Sequence, residues 1–306
     1  MVEDRVRAGR TPYLRVVPHK ETFDLESFPL GPKSSSEGAL EELKSLVGLE
    51  KVKELIYEVY AFAEIQKKRE RAGLLNEKVV LHMIFKGNPG TGKTTIARIL
   101  GRLLHNAGIL EKGHVVEVER ADLVGEYIGH TAHRTREQIK KAQGGILFID
   151  EAYSLSRGGE KDFGKECVDC IVKGMEDNAK ETIFILAGYP SEMEQFLRSN
   201  PGLRSRFPIH LEFPDYSVEE LTRIAELMLR KREYRLSPDA ASLLERIVSE
   251  RRSQEVIPSN ARMVRNLIEK AIRRQAVRLV RDKAFTRHDL MLLTARELME
   301  ASIALV

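Results

Sequence analysis

The sequence predicts an α/β fold, an open sandwich on a parallel sheet of five strands followed by a small all-helical unit. Three observations carry this. Between residues 41 and 214, continuous apolar runs of strand length alternate with helical patterns. After about residue 215 the strand-length runs stop and helical segments follow one another. One strand-to-helix junction is rich in glycine and closes on Lys93-Thr94. Apolar runs without polar alternation belong to strands buried on both faces, which is how parallel strands sit between layers of helices.

Residues 1–40 hold Pro12, Pro18, Pro29, Pro32 and the run KSSSEG, with no sustained helical or strand period. They read as an irregular arm and linker. In the α/β unit, 41–214, the expected strands are VVLHMIFKG (79–87), HVVEVE (114–119), GILFID (145–150), TIFILAGY (182–189) and IHLEF (209–213). The last unit, 215–306, reads as four helical segments: SVEELTRIAELMLRKREY, SPDAASLLERIVSE, SNARMVRNLIEKAIRRQAVRLVRD and TRHDLMLLTARELME. Three of them open on start signals: Ser237 with Pro238, Ser259, and Thr286 with Asp289 in capping-box spacing. No internal repeat is visible.

The chain has 306 residues, 42% hydrophobic and 31% charged, an ordinary soluble balance. No apolar run approaches the ~20 residues that span a bilayer, and the N-terminus lacks the apolar stretch of a secretory signal. A cytoplasmic protein without membrane contact is expected. A net charge of +4 does not call for nucleic acid. The basic clusters at Arg5, Arg7, Arg10 and Arg15, at Arg230 to Arg235 and at Arg246 to Arg252 read as solvated surface, with a polyanion patch as the lesser reading. The only cysteines, Cys167 and Cys170, have no second ligand pair for zinc. They lie with Ile171 and Met175 near one face of an amphipathic helix, so both thiols are expected to be buried and structural.

The first strand runs into Gly87-Asn88-Pro89-Gly90-Thr91-Gly92-Lys93-Thr94, with Thr95 and a helix after it. This G-x-x-x-x-G-K-T stands between strand and helix, as a phosphate-binding loop must. Its glycines let backbone N–H groups curl around a β-phosphate, and the helix start adds positive partial charge. Lys93 is expected to reach the β- and γ-phosphates and Thr94 to ligate Mg²⁺. The third strand ends in Asp150 and Glu151, at the strand end where parallel sheets bind ligands. Asp150 is expected to hold Mg²⁺ through water and Glu151 to activate the attacking water, which implies nucleotide hydrolysis and not mere binding.

These residues, with LVGLEKVK, DLVGEYIGHTAHRT, AGYPSEM, NPGLRSRF and NARMVRN, make residues 41–306 resemble the AAA+ ATPases. Within them the chain looks similar to the group of stage V sporulation protein K and the CbbX-type activase of red-type Rubisco. The resemblance implies a P-loop sandwich with a helical lid, and a ring, usually hexameric, with ATP between subunits. It implies that Val47 and Gly48 touch adenine. It makes Arg206, and with it Arg204, arginine fingers for a neighbour's ATP, and Arg262 the lid arginine that meets the γ-phosphate. A guanidinium is suited to both tasks because phosphoryl transfer spreads charge over equatorial oxygens. Where many AAA+ proteins carry Asn after the fourth strand, Tyr189 stands here.

The stretch GEYIGH sets Tyr127 and Ile128 between Gly125 and Gly129 in an otherwise polar loop. In the family, Tyr127-Ile128-Gly129 matches the loop facing the central channel, where an aromatic face grips polypeptide. His130 and His133 lack further ligands for a metal. The resemblance thus implies remodelling of a protein partner, with a sporulation-type member first. A Rubisco activase is the alternative. A nucleic-acid-associated loader is the alternative of another class, and the Tyr-Ile-Gly motif argues against it.

Overall fold

The computed structural model describes residues 36–303 apart from 76–79, 128, 158–161, 178–180, 255–256 and 283. Most of the expected arm, and Ile128, lie outside the described residues. Helix α1 (Ser36–Ser45) begins inside the stretch expected to be irregular. The reason is packing: Ala39, Leu40 and Leu43 are buried, so this short amphipathic segment has a face to cover.

Five parallel strands form the sheet: β1 (Met83–Gly87), β2 (Val115–Val118), β3 (Ile146–Ile149), β4 (Ile183–Gly188) and β5 (Ile209–Phe213). Their spatial order is β2-β3-β4-β1-β5. Met83 aligns with Ile185 of β4 and with Ile209 of β5. Side chains alternate between the two faces. Phe85, Phe148, Ile185 and Leu211 therefore join one core with the helices α1, α2 (Glu50–Arg71) and α3 (Lys93–Asn106). Ile84, Leu147, Ile149, Phe184 and Leu186 join the other core with α5 (His130–Lys141), α6 (Gly164–Asp177) and α7 (Pro190–Ser199). Each such side chain contributes about 1.5–3 kcal/mol when fully buried, which is why every residue of β1, β3 and β4 is apolar or tightly paired. The short helices α4 (Arg120–Leu123) and α8 (Pro201–Arg204) complete this layer. Since β4 lies between β3 and β1, the loops after all three open at one edge.

The C-terminal part comprises α9 (Val218–Arg230), β6 (Arg235–Leu236), α10 (Pro238–Gln254), α11 (Ala261–Asp282), α12 (Arg287–Met291), β7 (Leu292–Leu293) and α13 (Ala295–Ile303). It is helical, with one addition: β6 and β7 pair in parallel, and the fourth expected helix breaks there into α12 and α13. Buried Gln275 accounts for the break, because its amide donates to the carbonyls of Asp289, Leu290 and Leu292 that a continuous helix would have used. The Thr286–Asp289 capping box forms, and Ser237 accepts from the Ala240 N–H at 3.3 Å. Helix α11 starts behind Asn260, whose φ is 49°, and the Ser259 carbonyl accepts from the Arg262 N–H at 3.1 Å.

Cys167 is buried as expected, 3.4 Å from the Thr135 hydroxyl, and burial pushes its thiol up to about 12. Cys170, one turn on, is only half-buried at the rim of that face, which corrects the expectation of two buried thiols. Among the described residues no helix is long and apolar enough to cross a membrane.

Candidate active site

The loop between β1 and α3 is bent by Gly90 and Gly92, at φ 71° and 97°, a region that L side chains avoid. Gly87 is required by crowding, since a Cβ there would stand 2.6 Å from the Phe213 carbonyl oxygen. Helix α3 begins at Lys93, so the N–H groups of its first turn face the loop. The Lys93 ammonium donates to the carbonyls of Gly87 and Asn88, each at 2.8 Å. Burial lowers its pKa, nearby Arg262 lowers it further, and Asp150, Glu151 and Asp215 oppose both.

At the end of β3, the Asp150 carboxylate accepts from the Glu151 N–H at 3.0 Å. Glu151 has φ 46°, a left-handed backbone that costs a non-glycine residue about 1–2 kcal/mol. Such strain persists only where the surroundings enforce it. Here the next residues turn at once into a 3-10 helix, Ala152–Ser156, wholly buried through Leu155. Tyr153 lies beneath, its ring 5.9 Å from that of Tyr189, with the Arg157 guanidinium 4.8 Å above it. Burial raises the Tyr153 phenol, and the Glu151 carboxylate adds to that.

These elements enclose a cavity of about 490 Å³. Gly87, Pro89, Gly90, Gly92, Lys93, Thr94 and Thr95 line it from the loop. Asp150, Glu151 and Tyr189 line it from the strand ends, Val47 from the α1–α2 turn and Arg262 from α11. Gly48, Asn88 and Thr91 do not line it. Gly48, at φ 61°, makes the turn beside Val47. The Thr91 hydroxyl is turned inward and donates to the Asn88 carbonyl at 2.8 Å. The Asn88 amide is turned toward Asp215, 3.0 Å from both carboxylate oxygens. The sequence reading missed the apolar end of the cavity, formed by Leu46, Leu49, Tyr216, Ile224, Leu227 and Met228. A purine ring fits such a wall.

Arg204 and Arg206 stand apart from this cavity. The Arg206 guanidinium reaches Glu176 of α6 at 2.5 Å and the Gly202 carbonyl at 2.9 Å. Arg204 is exposed. Tyr127 is 65% exposed, and its ring meets that of His130 edge-on at 5.4 Å. Gly129, at φ 81°, ends the loop before α5. Gly125 is fixed by crowding: a Cβ would stand 2.5 Å from that of His130. Among the described residues no group of three or more His, Cys, Asp or Glu could hold a metal ion alone.

A strand-bounded phosphate loop, an Asp-Glu pair two strands away and a lid arginine over one cavity define a nucleotide-hydrolysing P-loop protein. The chain belongs to the AAA ATPases: residues 83–215 match the ATPase family associated with various cellular activities, and residues 217–303 match the AAA lid domain. Among its relatives are stage V sporulation protein K of Bacillus subtilis and protein CbbX of Cereibacter sphaeroides. The first is 55% identical over 84% of this chain and 80% of the relative. The second is 48% identical over 80% of each chain. The chloroplastic ribulose bisphosphate carboxylase/oxygenase activase of Cyanidioschyzon merolae is 41% identical, over 85% of this chain and 89% of its own. Among solved structures, RuvB of Thermotoga maritima shares the fold, with a TM-score of 0.58 at 22% identity over 90% of this chain and 74% of its own. The chain is an ATPase of this family, related to the sporulation protein and to the activases.

Proposed function

We propose that this ATPase works in the cytoplasm as a hexameric ring that spends MgATP to pull on a protein partner, with residues 41–214 as the motor and 215–306 as its lid. The observation that carries the reading is the exposure of Tyr127, 65% open on a loop bounded by Gly125 and Gly129. An aromatic face offered to solvent packs against many sequences without needing a particular partner.

In this reading ATP lies with adenine against Val47, Gly48 and the apolar wall and its phosphates in the loop. Lys93 leaves the two loop carbonyls for the β- and γ-phosphates. The Thr94 hydroxyl and, through water, the Asp150 carboxylate would hold Mg²⁺. One direct protein oxygen and one acting through water are few, which would suit a cation that takes its other ligands from phosphates and water. When bound, Mg²⁺ neutralises charge on the phosphates. Glu151 takes the proton of the attacking water. Arg262 meets the γ-phosphate from the lid, and Arg206, with Arg204, meets it from the neighbouring subunit.

A Glu151→Gln trap tests the reading. It should bind ATP, hydrolyse slowly and retain protein clients from a lysate. Adding Tyr127→Ala should release them, while Tyr127→Phe should not. Because most of the ring is exposed, the Ala change should cost well under the ~3–5 kcal/mol of a buried aromatic. A collapse of the melting midpoint, with ATPase lost alongside, would make Tyr127 a structural residue.

The 55% identity to stage V sporulation protein K supports a sporulation-type client. The 48% identity to CbbX supports an activase as the second reading, and a sugar-phosphate requirement for ring assembly would favour it. Stimulation of hydrolysis by DNA would instead favour a loader.

A further inference from the structure

Outside the residues that face the cavity, one polar cluster stands out. Its centre is the Asp215 carboxylate, in the short link between β5 and α9. The Asn88 amide of the phosphate loop donates to both of its oxygens, and the Asn260 amide donates to Oδ1 at 2.8 Å. Arg252 of α10 lies 3.6 Å from Oδ2. Asn260 is 1% exposed and holds the left-handed φ of 49° noted above. Its amide also donates to the Pro258 carbonyl at 3.1 Å and, more weakly, to the Pro89 carbonyl at 3.3 Å. Its carbonyl accepts from the Tyr216 N–H at 2.9 Å. The Tyr216 hydroxyl donates to the Thr91 carbonyl, and the Ala261 N–H to the Gly90 carbonyl, both at 3.2 Å. Phosphate loop, interdomain link and lid thus meet through one buried side chain.

The geometry points to Asn260 as a positioning residue: with Asp215 and Asn88 it clasps the lid to the phosphate loop and thereby sets where Arg262, two residues on, meets the nucleotide. A buried carboxamide suits this task because it donates to Asp215 while accepting from the Tyr216 N–H, and both bonds are lost together if the lid swings. The strained backbone at Asn260 is what lets its side chain and the start of α11 face the loop at once. The inference rests on the reading of Arg262 as the γ-phosphate contact, so its signature is discrimination between ATP and ADP, which differ only in that phosphate.

The test is the ratio of ADP to ATP dissociation constants, measured by fluorescent-nucleotide competition, with melting midpoints alongside. Asn260→Asp keeps the shape but sets a carboxylate against Asp215. It should lower the preference for ATP about tenfold or more while ADP affinity stays near wild type. The swap Asn260→Asp with Asp215→Asn restores an amide–carboxylate pair, though not the bonds to the Pro258 and Pro89 carbonyls, and should recover part of the preference. A wild-type ratio in folded Asn260→Asp, a parallel loss of both nucleotides, or a folded swap without recovery would each overturn the inference. Asn260→Ala offers the same test if Asn260→Asp does not fold. Combined with Arg262→Ala, it should add little to the ratio already lost through Arg262→Ala, whereas additive effects would show that Asn260 does not act through Arg262. Arg262→Ala alone separates the two failures: a wild-type ratio there would sink the Arg262 assignment itself.

Discussion

Gly90→Ala is the smallest change that strikes the contact between phosphate loop and lid. The new methyl would overlap the Ser259 carbonyl oxygen and stand 2.8 Å from the Arg262 nitrogen and 3.2 Å from that of Ala261. The residue must also keep φ near 71°, which costs an alanine about 1–2 kcal/mol. Relief by moving the lid breaks the Ala261 N–H bond to the Gly90 carbonyl, about 1 kcal/mol more. Relief by turning the loop instead misdirects the N–H groups that surround a phosphate. Either way about 2–3 kcal/mol comes off nucleotide binding, roughly 30- to 150-fold in affinity. Titration with a fluorescent ATP analogue measures it, and hydrogen exchange in the first turn of α11 should rise in parallel. An affinity within about threefold of wild type in a folded variant would refute the reasoning, because it would mean that loop and lid do not need this closeness.

Lys93→Ala should abolish nucleotide binding, whereas Glu151→Gln should bind ATP and turn it over slowly; wild-type turnover in the latter would remove Glu151 as the base. Arg206→Ala should cost on the order of 10³-fold in turnover, and rings mixed with Lys93→Ala subunits should regain part of it, since some interfaces then pair an intact site with an intact finger. Stability should fall as pH drops from 6.5 toward 4, because burial holds the His82 imidazole down at about 4 in the fold and the unfolded chain takes up the proton first. That difference amounts to about 3 kcal/mol, and denaturant melts of His82→Asn should lack that part of the slope.

The strands and the phosphate loop were legible because both are written locally. Ile146–Ile149 and Ile183–Gly188 carry no polar residue, and the Gly-rich stretch stands between strand and helix. Other features depend on partners far along the chain. Nothing near Gln275 announces that it will satisfy carbonyls at Asp289 to Leu292 and break a helix there. Ile224, Leu227 and Met228 look like any apolar stripe, and only the fold turns them toward a nucleotide cavity. Asn88 sits in a loop whose pattern implies ligand contact, yet its side chain serves Asp215, 127 positions later. Asn260 carried no signal beyond its place before Arg262.

The unequal burial of the two cysteines has a practical consequence. With Cys167 sealed in the core, half-buried Cys170 is the thiol that a maleimide dye reaches first in the unaltered chain, although burial pushes its thiol up as well. Cys170 lies on α6, the helix that also carries Glu176, the carboxylate holding Arg206. A fluorophore placed there would sit on the same helix as that carboxylate, so changes in the environment of α6 could be followed without introducing any residue.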